Sequence, residues 1–141
     1  MADIFTKEKR SQVMSLIKPE GTRPENLVFK HLRRRKIHFQ KHYKKAPGRP
    51  DLAIPSKKIA IFIDGDFWHG WRFSEWREKL PQEYWREKIA TNIKRDKRTF
   101  ASLRRKGWRV LRVWEHELKP KRQEATFQKI EKFLSLKEDS Q

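Results

Sequence analysis

The clearest strand signal in the chain lies in two stretches, Pro50-Asp51-Leu52-Ala53-Ile54 and Ile59-Ala60-Ile61-Phe62-Ile63-Asp64-Gly65-Asp66. Ile59 to Ile63 is a continuous apolar run, as expected of a central strand buried on both faces. Asp51 to Ile54 begins another strand, and Lys57-Lys58 supplies the turn between the two. This arrangement puts Asp51 at the start of one strand and Asp64 at the end of its neighbour. Adjacent hairpin strands bring both acids within reach of one cation. A hard cation such as Mg²⁺ prefers a few carboxylates, carbonyls and waters. It can hold a scissile phosphate, acidify a water and steady a leaving oxygen.

Working outward, residues 6–17 form a short basic helix with Val13, Met14 and Ile17, broken at Lys18-Pro19-Glu20-Gly21. Thr22-Arg23-Pro24-Glu25 has capping-box spacing, with Pro in the first turn. The helix it opens runs to about Lys36, with Leu27, Val28 and Leu32 inward. Ile37 to Tyr43 alternates apolar and polar residues and predicts a strand. Residues 64–81 form an aromatic loop. A long amphipathic helix follows from Gln82 to about Lys106, with Trp85, Ile89, Ile93, Phe100 and Leu103 on its apolar face and Gly107 as its cap. Trp108 to Trp114 is a strand, and Pro120 precedes a last helix carrying Phe127, Ile130, Phe133 and Leu134. The fold class is α/β, a mixed central sheet flanked by helices.

The chain has 141 residues, which fits one domain over 1–141. Lys and Arg number 36 against 18 Asp and Glu, a formal net charge of +18. The excess is uneven: residues 1–49 carry a net +10, residues 50–90 none and residues 91–141 +8. Such a charge calls for a polyanion, with nucleic acid first and an anionic membrane surface second. A neutral centre holding acids between basic flanks suits a nuclease better than a pure binding module. Cysteine is absent, which excludes disulfides, a cysteine nucleophile and thiolate zinc ligands. No run approaches a membrane span, and Met1-Ala2-Asp3-Ile4-Phe5 lacks the apolar stretch of a signal peptide, so a cytoplasmic location is expected.

Phe67-Trp68-His69 follows the central strand directly. An aromatic pair beside an active site can enter between base pairs and kink a duplex. Trp71, Phe73 and Trp76 are read instead as core. His69, five residues past Asp64, is a candidate general base, with an ordinary pKa near ~6.5. Basic clusters recur at Arg33-Arg34-Arg35-Lys36, at Lys41 with Lys44-Lys45, at Lys94-Arg95 with Lys97-Arg98, at Arg104-Arg105-Lys106 and at Lys119 with Lys121-Arg122. Together they predict a phosphate-binding footprint that gives affinity without reading sequence.

Arg10-Ser11 through Met14, Thr22 to Glu25, Pro47-Gly48-Arg49-Pro50-Asp51, Phe62 to His69, and Gly107-Trp108-Arg109-Val110-Leu111 through Val113-Trp114-Glu115 together resemble the very short patch repair (Vsr) DNA mismatch endonucleases, in order from about residue 7 to 118. The resemblance implies a restriction-endonuclease-like fold, a degenerate relative of the Pro-Asp…(Asp/Glu)-x-Lys nucleases. It implies Mg²⁺-dependent nicking of one strand 5′ to a thymine mispaired with guanine, the product of 5-methylcytosine deamination. Carried over by position, Asp51 is the essential metal ligand and the Ile63 backbone carbonyl a second. His69 activates the attacking water, and Glu25 supports it from the helix start. Met14, Phe67 and Trp68 form the intercalating wedge, with residues 1–20 mobile until DNA binds. Arg10, Lys44, Lys45, Arg49, Arg95 and Arg98 are the expected phosphate contacts.

Two departures stand out. Members of that family carry a structural zinc on Cys and His, but the corresponding positions here are Asp66, Trp71, Phe73 and His116. Two apolar rings leave too few ligands for a closed tetrahedral site, so no structural zinc is expected; the rings would pack the same region. Asp64 stands where some members have a catalytic His. It could bind metal or orient a water, and one or two Mg²⁺ ions are expected. The implied partners are duplex DNA with a T:G mispair, repair proteins and a cognate cytosine-5 methyltransferase, with the protein itself monomeric. A nuclease without mismatch selectivity and a non-catalytic DNA-binding protein are the alternatives.

Overall fold

The structure is a computed structural model, and its described residues are 23–66, 69–77 and 83–135. The helix expected over 6–17, together with Arg10, Met14, Phe67 and Trp68, lies outside them. The elements in chain order are α1 (Arg23–Arg34), β1 (Gln40–Lys41), β2 (Leu52–Ile54), β3 (Ile59–Asp64), α2 (Phe73–Trp76), α3 (Glu83–Arg105), β4 (Arg109–Trp114) and α4 (Pro120–Ser135). Short 3₁₀ turns occupy Pro55–Lys57 and Glu115–Leu118.

The four strands form one sheet in the order β1-β2-β3-β4. β1 with β2 and β2 with β3 are antiparallel, while β3 and β4 run parallel, as their connection through α3 requires. All six residues of β3 are buried. Its period of two sorts the core. Ile59, Ile61 and Ile63 join Leu52 and Val113 against Val28, Phe29 and Leu32 of α1 and Phe127, Ile130 and Leu134 of α4. Ala60 and Phe62 turn to the opposite face, where Phe100 and Leu103 of α3 cover them. Phe62 meets Phe100 edge to face at 4.9 Å between centroids.

The long helix, the central strand and the last helix form where the sequence predicts them, and Gly107 caps α3 at φ 87°. The strand expected over 37–43 shrinks to Gln40–Lys41. Lys36 and His42 hold left-handed φ of 58° and 48°, which ends extended structure on both sides. The turn before β2 is tight: Gly48 has φ 76°, and a side chain there would collide with Thr99 and crowd Phe62. That close seat on α3 aims the chain through Arg49 and Pro50 into Asp51. No helix among the described residues is long and apolar enough to cross a membrane.

Candidate active site

Two clusters of titratable side chains form at the end of β3. The first gathers around Asp51, one residue before β2. Its Oδ2 accepts a 2.7 Å hydrogen bond from the Ile63 amide of the neighbouring strand. Glu25, only 2% exposed at the start of α1, hydrogen-bonds the Asp51 carboxyl and lies 3.2 Å from His42 Nε2. His42 is set beside them by its own amide, which donates to the Asp51 carbonyl at 3.0 Å. Glu25, His42 and Asp51 each offer a ligand atom, all within 4.8 Å of one another. Burial pushes the Asp51 carboxyl up to about 9, with the Glu25 hydrogen bond and charge adding to the shift and the Ile63 amide opposing it. With its pKa raised so far, the Asp51 carboxyl keeps its proton at neutral pH when no cation is bound. A divalent cation is the other way to neutralise such a pair, so these residues suit one.

The second cluster sits on the α3 face of the sheet. Asp64 is 5% exposed, and its carboxylate Oδ2 lies 2.8 Å from Arg112 Nε. The contact is ionic, out of hydrogen-bond alignment for both atoms. Arg112 Nη2 donates to Asp96 Oδ2 at 2.7 Å, and His69 Nδ1 lies 2.7 Å from the same oxygen. His69 Nε2 faces Asp64 Oδ1 at 3.5 Å. Strand geometry explains the grouping: Arg112 lies opposite Phe62, so Phe62, Asp64 and Arg112 share one face. The guanidinium is clamped between Trp114, 4.0 Å from its ring centroid, and Phe100, 5.2 Å away. Burial raises the Asp64 carboxyl above its ordinary range, against the lowering pull of His69 and Arg112.

The structure thus brings Glu25 to Asp51 and His69 to Asp64, but it does not bring Asp51 and Asp64 into one ligand group. Among the described residues the two acids fall in separate groups of possible ligands, with Arg112 lying against the Asp64 carboxylate. Three participants went unread in the sequence: His42, Asp96 and Arg112. Asp96 had a signal, since it falls on the apolar stripe of α3 between Ile93 and Phe100, where an acid needs a buried partner. His42 and Arg112 are recognisable only through residues distant in sequence.

At a third grouping, Asp66 Oδ1 lies 2.8 Å from His116 Nδ1, the Trp71 ring packs on His116 at 4.0 Å, and the Trp71 amide donates to the Asp66 carbonyl at 2.9 Å. Phe73 packs instead with Trp76, Trp85 and Ile89. These residues do not fit a tetrahedral zinc. Asp66, Trp71 and His116 join the loop after β3 to the turn after β4. Lys44, Lys45, Arg95 and Arg98 are exposed, whereas Arg49 is half-buried with φ 50°.

The chain is similar to known proteins over most of its length. A family model described as DNA mismatch endonuclease Vsr matches residues 2–75. The type II nicking enzyme V.XorIIP of Xanthomonas oryzae pv. oryzae is 38% identical over 120 residues, covering 84% of this chain and 88% of that protein. The type II nicking enzyme V.HpaIIP of Haemophilus parainfluenzae is 38% identical over 115 residues, covering 79% and 82%. The DNA mismatch endonuclease Vsr of Escherichia coli (strain K12) is 34% identical over 140 residues, covering 95% and 88%.

Proposed function

The chain belongs to the Vsr family of DNA mismatch endonucleases and is itself a DNA endonuclease; on that premise we propose that it nicks one strand of duplex DNA 5′ to the thymine of a T:G mispair, using Mg²⁺. The observation that carries this reading is the buried Glu25–Asp51 pair, tied to the end of the central strand by the Ile63 amide. We read residues 1–141 as one domain of the restriction-endonuclease-like type, with the Pro-Asp step entering β2.

Asp51, Glu25 and the Ile63 carbonyl are the residues that would hold the cation. That carbonyl leaves the strand on the same side as the amide bonded to Asp51, as the N–H and C=O of a strand residue do. A bound Mg²⁺ would offset charge on the phosphate and acidify a water. His69 is the proton acceptor. A carboxylate only accepts, so Asp96 favours the proton on Nδ1; Nε2, which faces Asp64 Oδ1 at 3.5 Å, is the atom that would take the proton of the attacking water in exchange for that contact. Arg112 holds Asp96 and Asp64 in place around the imidazole. We assign Asp64 to this network, not to the cation. Met14, Phe67 and Trp68 are the proposed wedge, and Arg10, Lys44, Lys45, Arg49, Arg95 and Arg98 the proposed phosphate contacts.

The test is incubation with Mg²⁺ and two duplexes differing in one T:G pair. A single nick 5′ to the mispaired thymine, abolished by EDTA and by Asp51→Ala, is expected. Nicking of both duplexes alike would favour an endonuclease without mismatch selectivity. Phe67→Ala with Trp68→Ala should erode the preference for the mispair; an unchanged preference would remove the wedge.

A further inference from the structure

His42 lies beside Asp51 and Glu25 but has no part in the reaction as described so far. We propose that His42 is a direct ligand of the divalent cation at this site, making it a mixed nitrogen–oxygen centre that favours Mn²⁺ over Mg²⁺. The proposal rests on the reading above that Asp51 and Glu25 hold a cation.

Geometry is the first support. Octahedral ligands at roughly 2.1–2.3 Å from a small cation stand about 3.0–3.2 Å apart along each edge. Glu25 Oε2 and His42 Nε2 are 3.2 Å apart, one such edge. Without a cation the same spacing is spanned by a hydrogen bond, so a bound ion would take its place with little movement of either side chain. The third ligand atom, from Asp51, lies within 4.8 Å of both.

Preorganisation is the second. The three side chains arrive from separate places: the first turn of α1, the residue after β1 and the residue before β2. His42 holds a left-handed backbone at φ 48°, a costly conformation for a residue with a side chain. The Phe29 ring meets the imidazole edge-on at 5.9 Å and 81°, limiting its rotation. Its side chain is 14% exposed, so Nε2 points into the cluster with little competition from bulk water.

Chemistry gives the metal preference. Mg²⁺ binds almost only oxygen, whereas later divalent ions accept imidazole readily. Mn²⁺ takes carboxylate and imidazole together. The Asp64–His69–Asp96 group is the competing candidate, but Arg112 already lies against two of its three members.

Pulsed electron paramagnetic resonance of the full-length protein with Mn²⁺, without DNA, tests the assignment. Wild type should show the ¹⁴N modulation of a directly bound imidazole. His69→Ala should retain it and His42→Gln should lose it. By calorimetry, His42→Gln should weaken Mn²⁺ binding about tenfold or more, with a much smaller change for Mg²⁺. Modulation that survives His42→Gln, or is missing from a wild type that binds Mn²⁺ through Asp51, overturns the His42 assignment and leaves the metal reading intact. Failure of wild type to bind Mn²⁺ at all, or binding untouched by Asp51→Asn, overturns the metal reading and the His42 assignment with it. If His42→Gln does not fold, the wild-type and His69→Ala spectra still decide.

Discussion

Asp51→Asn should make the metal-free protein more stable while abolishing nicking. An unfolded Asp51 has a pKa near 3.8, and in the fold its carboxyl is raised to about 9, first by burial and then by Glu25. At pH 7 the folded chain therefore keeps a proton that the unfolded chain has released, at a cost of up to about 4 kcal/mol. Asparagine is neutral at every pH. Its amide oxygen can accept from Ile63 N–H, and its NH₂ can donate to Glu25. A weaker amide–carboxylate bond gives back about 1–2 kcal/mol, leaving a net gain of roughly 2–3 kcal/mol. For a chain of this length that is a rise in Tm of about 6–12 °C. The sign fixes the pH window. A raised carboxyl pKa destabilises only above its unfolded value, and the penalty grows until the pH passes the folded value. The gain from Asn should be near zero at pH 4 and largest toward pH 9. Thermal melts followed by circular dichroism in EDTA, from pH 4 to pH 9, measure it. A Tm difference independent of pH, or a loss of stability at pH 8, refutes a proton retained on Asp51. Mg²⁺ should raise the Tm of wild type and leave that of the variant unchanged.

Arg112→Leu strands the Asp64 and Asp96 carboxylates and should cost about 3 kcal/mol in urea unfolding, while adding Asp64→Asn should restore much of it. Additive effects of the two changes would show that the 2.8 Å contact carries no coupling. Asp96→Asn can donate to His69 Nδ1 and so favours the wrong tautomer; nicking should fall roughly 10²–10³-fold with DNA affinity unchanged. An equal loss of affinity would place Asp96 in folding or binding instead. With a charge of +18, DNA affinity should fall steeply and log-linearly with salt, and removing Arg95 and Arg98 should lower that slope by roughly 2. A slope unchanged in Arg95→Ala/Arg98→Ala places the DNA on another face.

Legibility in the sequence followed the range of each interaction. The apolar run over 59–63, the α3 stripe and the Gly107 cap are set by neighbours a few residues away, and each forms where expected. The strand over 37–43 is the exception. Its alternation is a local signal, but the backbone leaves the extended region at His42, where the imidazole lies beside Glu25. Asp51 and Asp64 stand out in the sequence because strand boundaries mark them, and His69 because it follows the second closely. Their places in separate groups of possible ligands are not legible there, since Arg112, which lies against Asp64, is distant in sequence and inconspicuous in a strand that also carries Arg109.

The sheet places the Asp51 and Asp64 groups on different sides of one strand end. Asp51 is fixed by a backbone amide on β3, and its other partners come from α1 and the segment after β1. Asp64, the residue after Ile63 on the same strand, turns to the α3 face, where it meets Arg112 of β4 and His69 of the loop after β3, both of which also reach Asp96 of α3. Ile63 stands between them, its amide on one centre and its neighbour Asp64 in the other. Substitution of Ile63 by a smaller residue such as Ala should therefore loosen both: removing its buried side chain costs about 2–4 kcal/mol, and the lost packing lets the strand end shift. If the two centres work as one device, Ile63→Ala should lower the nicking rate and Mn²⁺ affinity together at a temperature well below its Tm. Loss of rate with unchanged metal affinity would show that only the His69 centre depends on the strand end, and the claim that β3 couples them would fail.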